Sequence, residues 1–222
     1  MTKKYEFTDE TIHLLGRTLH RIKALRSFSG VKAGELGGFI EKKENLSHDG
    51  DAWVFCDARV FGGARVYGDA RVYGDARVYG DARVCGDAWV YGDARVYGNT
   101  WVYGDARVYG DARVYGGAQI SGGAQVYGNA QVSGDAQVSG DAQVSGSDDY
   151  LCFKGLGSEN RNTTFFKCND GHIHVNCGCF NGTLAEFEKK VKETHGDSKY
   201  AKEYLACVKV VKIHFGIGEE TE

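Results

Sequence analysis

Residues 69–80 read Asp-Ala-Arg-Val-Tyr-Gly-Asp-Ala-Arg-Val-Tyr-Gly, two copies of a six-residue unit that recurs about sixteen times between Asp51 and Gly146. An even period returns each residue type to the same side of an extended chain, so alternation sorts the unit without ambiguity. Ala and the Val two places on (Ala58 and Val60, Ala70 and Val72, Ala76 and Val78) point one way. The intervening Arg and the aromatic after the Val (Arg59 and Phe61, Arg71 and Tyr73, Arg77 and Tyr79) point the other. The small-then-branched apolar set is the inside. Gly and Asp at each junction make corners, because Gly tolerates φ > 0 and Asp hydrogen-bonds its own backbone. One such strand cannot bury its Val alone, so the units must stack on copies of themselves.

This spacing resembles the hexapeptide repeat of left-handed parallel β-helix proteins, in which three hexads make one triangular coil. The left-handed sense is an implication of that resemblance, since parallel connections in general are right-handed. A pentapeptide-repeat prism would need a period of five. The entry into the repeats, Gly34-Glu-Leu-Gly-Gly-Phe-Ile-Glu41 and then Glu44-Asn-Leu-Ser-His-Asp-Gly-Asp-Ala-Trp-Val54, resembles that of a bacterial and phage β-helix family often described as hexapeptide-repeat acyltransferases. Fold alone does not fix an activity.

The 222 residues, 42% hydrophobic with net charge −3, fit a globular protein of one extended domain or a few small ones. The divisions expected are a cap at 1–50, the β-helix at 51–147 and an α+β segment at 148–222. Neither end carries a long apolar run, which gives no support for export or for membrane insertion. Seven scattered cysteines then read as reduced thiols in a cytoplasmic protein. On that reading the Asn-x-Ser/Thr matches at Asn45, Asn162 and Asn181 are not glycosylation sites. The repeats hold eight Arg, eleven Asp and no Lys, without the basic excess that nucleic acid requires.

Ahead of the repeats, Lys4 to Phe7 alternates like a short strand, and Thr8-Asp9 is placed to cap a helical turn ending at Gly16. Thr18 to Leu25 fits either a helix or a curved strand. Val31 to Ile40 reads as a turn leading into an extended piece. Ile40, Leu46 and Ala52 follow the hexad pattern with a slip of two, as an atypical capping repeat does, and this segment is expected to shield the strand edges.

With three hexads per turn, residues eighteen apart stack about 4.8 Å from one another. One face carries Trp53, Arg71, Trp89 and Arg107 beside Phe55, Tyr73, Tyr91 and Tyr109. A second carries Arg59, Arg77, Arg95 and Arg113 beside Phe61, Tyr79, Tyr97 and Tyr115; the third has Arg65, Arg83 and Trp101 beside Tyr67, Cys85 and Tyr103. Stacked rings and guanidinium planes cover one another, at a few tenths to about 1 kcal/mol per pair. The same residue types anchor interfaces. Trp53, Arg71, Tyr73, Trp89, Tyr91, Trp101, Arg107 and Tyr109 are therefore candidate contacts for a protein partner or for self-association, as in a homotrimer. The first face is preferred because Trp53 and Trp89 stand where Arg is usual. After about residue 119 Gln replaces the Arg, and Ser replaces the Tyr except at Tyr127, which places the contact in the N-terminal two-thirds.

Enzymes with the resembling fold use a histidine on the coil as general base, commonly between subunits of a trimer. No histidine lies between Asp51 and Gly146, and His48 just before the coils is the nearest. The reading is a non-catalytic structural or binding protein needing no cofactor. On the phage resemblance its partner is a protein of the bacterial host. The alternative is a trimeric acyltransferase acting through His48 on an acyl-CoA or acyl-carrier-protein donor.

After Ser147-Asp-Asp149 the composition changes. Tyr150 to Lys154 reads as a strand, and Thr163 to Cys179 as a hairpin turning at Asp170-Gly171. Cys168, His172, His174, Cys177 and Cys179 invite a zinc reading. A two-residue turn would set Cys168 opposite Ile173, putting Cys168, Cys177 and Cys179 on one face and both histidines on the other, which argues against it. Thr183-Leu-Ala-Glu186 is a capping box that opens a helix with Leu184, Phe187 and Val191 inward. A second helix is expected from Asp197 to about His214, burying Tyr204, Val208 and Val211.

Overall fold

The computed structural model describes residues 3–218. Sixteen two-residue strands, from β4 (Trp53–Val54) to β19 (Gln143–Val144), start every six residues. Each of the first thirteen pairs in parallel with the strand eighteen residues on, as Arg71 does with Trp89 and Trp89 with Arg107. The strands of Trp53, Arg71, Trp89, Arg107, Gln125 and Gln143 form one sheet of six, giving a β-solenoid of about six turns. Every turn donates N–H groups to the next: Arg71 to the carbonyl of Ala88 at 2.9 Å and Tyr73 to that of Val90 at 3.0 Å.

The inward Ala and Val columns are sealed from solvent, as expected. Thr100 stands in the Ala column, and its buried hydroxyl donates to the Tyr97 carbonyl at 2.7 Å, so the substitution leaves no polar group unpaired. Corner glycines hold φ between 60° and 75°. A Cβ on Gly74 would lie 3.1 Å from the backbone N and O of Gly92 in the next turn, so the corner needs glycine both for its φ and for close stacking. Cys56 holds the corresponding corner of the first turn at φ 52°.

One N-terminal expectation needs correcting. In place of a helical turn over Thr8–Leu15 there is a strand, β1 (Tyr5–Leu14), paired antiparallel with β2 (Arg17–Ala24), which settles the open reading of Thr18–Leu25. Leu15 and Gly16, both at positive φ, make the two-residue turn that matches strand twist. Pairing overrode the local capping signal because it buries Tyr5, Leu19 and Ile22. β3 (Leu36–Ile40) follows β2 and joins the coil in parallel. Ile40 pairs with Val60 and Leu46 bridges Val66, a stagger of twenty, whereas Val54 pairs with Val72 at eighteen. That is the slip of two.

Beyond the coil, β20 (Tyr150–Leu156), β21 (Arg161–Lys167), β22 (Ile173–Cys177) and β23 (Phe180–Thr183) form an antiparallel sheet in that order, followed by α1 (Leu184–His195) and α2 (Lys199–Phe215). Phe166 and Cys168 join the Val–Ala core, while Phe165, Ile173, Val175 and Cys177 pack with Phe187, Tyr204 and Val208 of the helices. The Thr183–Glu186 capping box is present, with N–H bonds of 2.8 and 3.3 Å. α2 starts two residues later than expected because Ser198, accepting from the Ala201 N–H at 3.3 Å, is its cap.

The β21–β22 register differs from the expected one. Lys167, not Cys168, is opposite Ile173. The loop is Asn169-Asp170-Gly171 with Gly171 at φ 78°, a three-residue turn that closes through Cys168 N–H to the His172 carbonyl at 3.1 Å, in keeping with glycine at the left-handed position of such turns. Cys168 therefore shares its face with His172 and His174, and Cys177 lies on the opposite face. The sheet also gains a second tight turn at Gly178-Cys179, where the sequence reading extended the hairpin.

Side chains close both ends of the coil. At the first turn, Lys4 Nζ donates to the carbonyls of Gly50 (3.3 Å) and Ala52 (2.8 Å), and Asn45 Nδ2 to those of Gly62 (3.2 Å) and Ala64 (2.8 Å). At the last turns, the Asp149 carboxylate accepts from the N–H groups of Ser145 and Gly146, both at 2.9 Å. Thr164 Oγ1 accepts from Gln137 N–H at 2.9 Å, and the Tyr150 hydroxyl from Ser133 N–H at 3.2 Å.

Candidate functional site

The three outer faces use their aromatic residues differently. On the first, Tyr73, Tyr91, Tyr109 and Tyr127 stack with ring centroids 5.1, 4.8 and 5.1 Å apart. Trp89 lies between the guanidinium groups of Arg71 (5.5 Å) and Arg107 (5.3 Å). Here the sequence reading is corrected: Trp53 is wholly buried, packed edge-on against Phe28 at 5.4 Å and Tyr5 at 6.2 Å. The N-terminal strands cover it, so Trp53 cannot contact a partner. Arg71 also reaches back to Ser29 Oγ at 3.2 Å.

On the second face Phe61, Tyr79, Tyr97 and Tyr115 form an unbroken stack at 5.0, 4.8 and 5.1 Å. Its N-terminal end lies under Leu19 and Phe39.

The third face is unfinished. Cys85 occupies the place between Tyr67 and Tyr103 that a tyrosine holds elsewhere, so the aromatic row is interrupted. Trp101 is 40% exposed and Tyr67 36%, while Arg83 lies over the Trp101 ring at 4.6 Å. The Cys85 thiol, together with burial, raises the Tyr67 phenol above its ordinary range. Walls bound the face at both ends. Toward the N-terminus a groove of about 680 Å³ is lined by Lys43, Ser47, His48, Arg65, Tyr67 and Arg83, with Glu44 its one acid. Toward the C-terminus, Asn176 and Asn181 of the terminal sheet each donate to Ser139 Oγ at 2.9 Å.

His48 is poorly arranged for general-base work. Its Nδ1 accepts the Lys4 N–H at 3.2 Å, which leaves the proton of a neutral imidazole on Nε2. Burial and the charges of Lys4 and Lys43 lower its pKa, and its ring stacks on Tyr5 at 4.4 Å. The outward nitrogen is thus a donor.

The cysteine–histidine residues are divided by the sheet. Cys168 faces the coil, where burial pushes its thiol up to about 12. Cys177 faces the helices and accepts a hydrogen bond from Thr163 Oγ1 at 3.2 Å. His174 Nε2 is 2.7 Å from the Asp170 carboxylate, whose other oxygen accepts from the His172 N–H. Cys179 is exposed in the turn beyond. Among the described residues, no three His, Cys, Asp or Glu side chains are grouped to hold a metal ion.

Sequence reasoning missed Lys4, Asn45 and Asp149, whose roles come from the direction of the hydrogen-bond ladder. An isolated polar residue beside a repeat boundary was the available signal. Among the described residues, no helix is long and apolar enough to cross a membrane.

No curated protein matches the chain. The family model for the YdcK beta solenoid repeat matches five segments of the coil, residues 64–78, 76–92, 88–104, 106–122 and 124–140. This similarity and the stacked parallel turns together make the chain a β-solenoid repeat protein.

Proposed function

We propose that the chain is a non-catalytic binding scaffold, a left-handed hexapeptide-type coil that presents its third face to a protein segment carrying acidic and aromatic side chains. The observation that carries this reading is Trp101, the most exposed aromatic of the coil, beside the gap that Cys85 leaves in the tyrosine row. On the other two faces neighbouring rings already cover one another. An aromatic side chain entering between Tyr67 and Tyr103 would complete the third row, and Lys43, Arg65 and Arg83 supply the charge complement for acidic neighbours. Of the contacts expected from sequence, Trp101 moves to the centre, and Trp89 and its tyrosine neighbours serve the coil itself. The partner is a protein of the bacterial host, as the phage resemblance implies. Since His48 offers a donor and not a base, nothing favours the acyltransferase alternative.

The test is affinity capture from bacterial lysate, followed by titration of the purified partner against variants. Trp101→Ala and Arg83→Ala should each weaken binding by about tenfold or more, and Trp89→Ala by much less. Equal losses at Trp89 and Trp101 would remove the third face from consideration. Light scattering showing a trimer that Trp101→Ala dissociates would reassign the face to self-association.

A further inference from the structure

We infer that a cleft in the C-terminal region, separate from the coil faces, binds a small organic anion: a monocarboxylate carrying one ring or a short alkyl chain. The cleft, of about 230 Å³, lies between the Gly178-Cys179 turn, α1 and the segment Ser158–Arg161. That is roughly eight water volumes, small for a ligand pocket and suited to a fragment-sized molecule.

Its floor is apolar and aromatic. Phe180, Phe187, Val191 and Tyr204 line it, with Cys177 at the base. Phe187 meets Tyr204 edge-on at 5.6 Å and lies tilted against Phe180 at 5.3 Å. The Tyr204 hydroxyl is engaged, donating to the Leu156 carbonyl at 3.3 Å, so the floor offers a surface for an apolar body.

The rim carries the opposite character. Arg161, Lys190 and His195 stand there with Glu159 the one acid among the lining residues. No carboxylate pairs with Arg161 among the described residues. The Arg161 guanidinium lies where a side chain on Gly178 would begin, so that a Cβ there would collide with Nη1. Gly178, at φ 61°, thus both makes the turn and leaves the guanidinium its place over the cleft. An unpaired guanidinium above an aromatic floor matches a carboxylate joined to an apolar group, because the planar fork receives two oxygens while the tail is removed from water.

The experiment is an amide-resolved NMR titration of the full chain with benzoate, hexanoate and the neutral analogue benzamide. Shifts confined to residues 177–180 and 187–195 are expected for the two carboxylates, with benzamide at least about tenfold weaker. Arg161→Gln, at an exposed position, should weaken carboxylate binding by about the same factor. Gly178→Ala should do likewise by displacing the guanidinium. Absence of localised shifts would overturn the site. Equal binding of benzamide, or full binding by Arg161→Gln, would overturn its assignment to anions.

Discussion

At the N-terminal end of the coil the backbone groups left over are carbonyls, and at the C-terminal end they are amides, because every turn donates its N–H groups to the following one. The side chains that close the two ends differ accordingly. Lys4 and Asn45 bring donors to the first turn; Asp149, Thr164 and Tyr150 bring acceptors to the last. A parallel solenoid is therefore chemically polar along its axis even though its repeats are nearly identical. Its caps cannot be exchanged.

The strongest way to break this contrast is to reverse one member of it. Asn45→Asp sets a carboxylate against the carbonyls of Gly62 and Ala64 and should cost about 3 kcal/mol or more. The reciprocal Asp149→Asn weakens the acceptor of two N–H groups and the ion pair to Lys167, 2.6 Å long, for about 2 kcal/mol. Urea unfolding followed by tryptophan fluorescence, with the buried Trp53 reporting the first turns, measures both. If either end tolerated its reversed side chain, the account of capping would be lost.

Solution pH sharpens the same comparison. Burial, and then Arg26, lower the Lys4 pKa from 10.5 to about 8. Between those values the unfolded chain holds more protons, so stability rises with pH, by an amount on the order of 3 kcal/mol. Asp149 is pushed up by burial but pulled down more strongly by hydrogen bonds from Lys167, Ser145 and Gly146, to about 2 from 3.8. Its contribution, about 2 kcal/mol, is present above pH 4 and is lost as pH falls toward 2. Melting curves should lose the lower limb in Asp149→Asn and the upper one in Lys4→Met. The smallest effect is expected at Cys56, whose left-handed corner suits glycine. Cys56→Gly should raise stability by about 0.5 to 1 kcal/mol, and a loss instead would show that the thiol packs usefully.

The inward Val and Ala columns, the ladders of residues eighteen apart and the slip of two before the first regular turn were all legible, because they follow from counting along an even period. So were the faces of both terminal helices, set by a 3.6-residue period. The hairpin around Asp170 was not: two-residue and three-residue turns share the same Asp-Gly signal, and a shift of one residue carries Cys168 to the opposite face. The site was legible in its parts. Cys85 breaks the tyrosine row in the sequence itself, whereas the burial of Trp53 under Phe28 and Tyr5 depends on where a distant segment lands.

By itself, then, the sequence determined a stacked coil with an Ala–Val interior and an Arg–aromatic exterior, since repetition turns a local pattern into a global one. Tertiary structure alone decided which part of that exterior stays open to solvent. The coil specifies three similar faces, and the non-repeating ends, whose contacts no period encodes, cover the N-terminal parts of two and leave Trp101 on the third exposed.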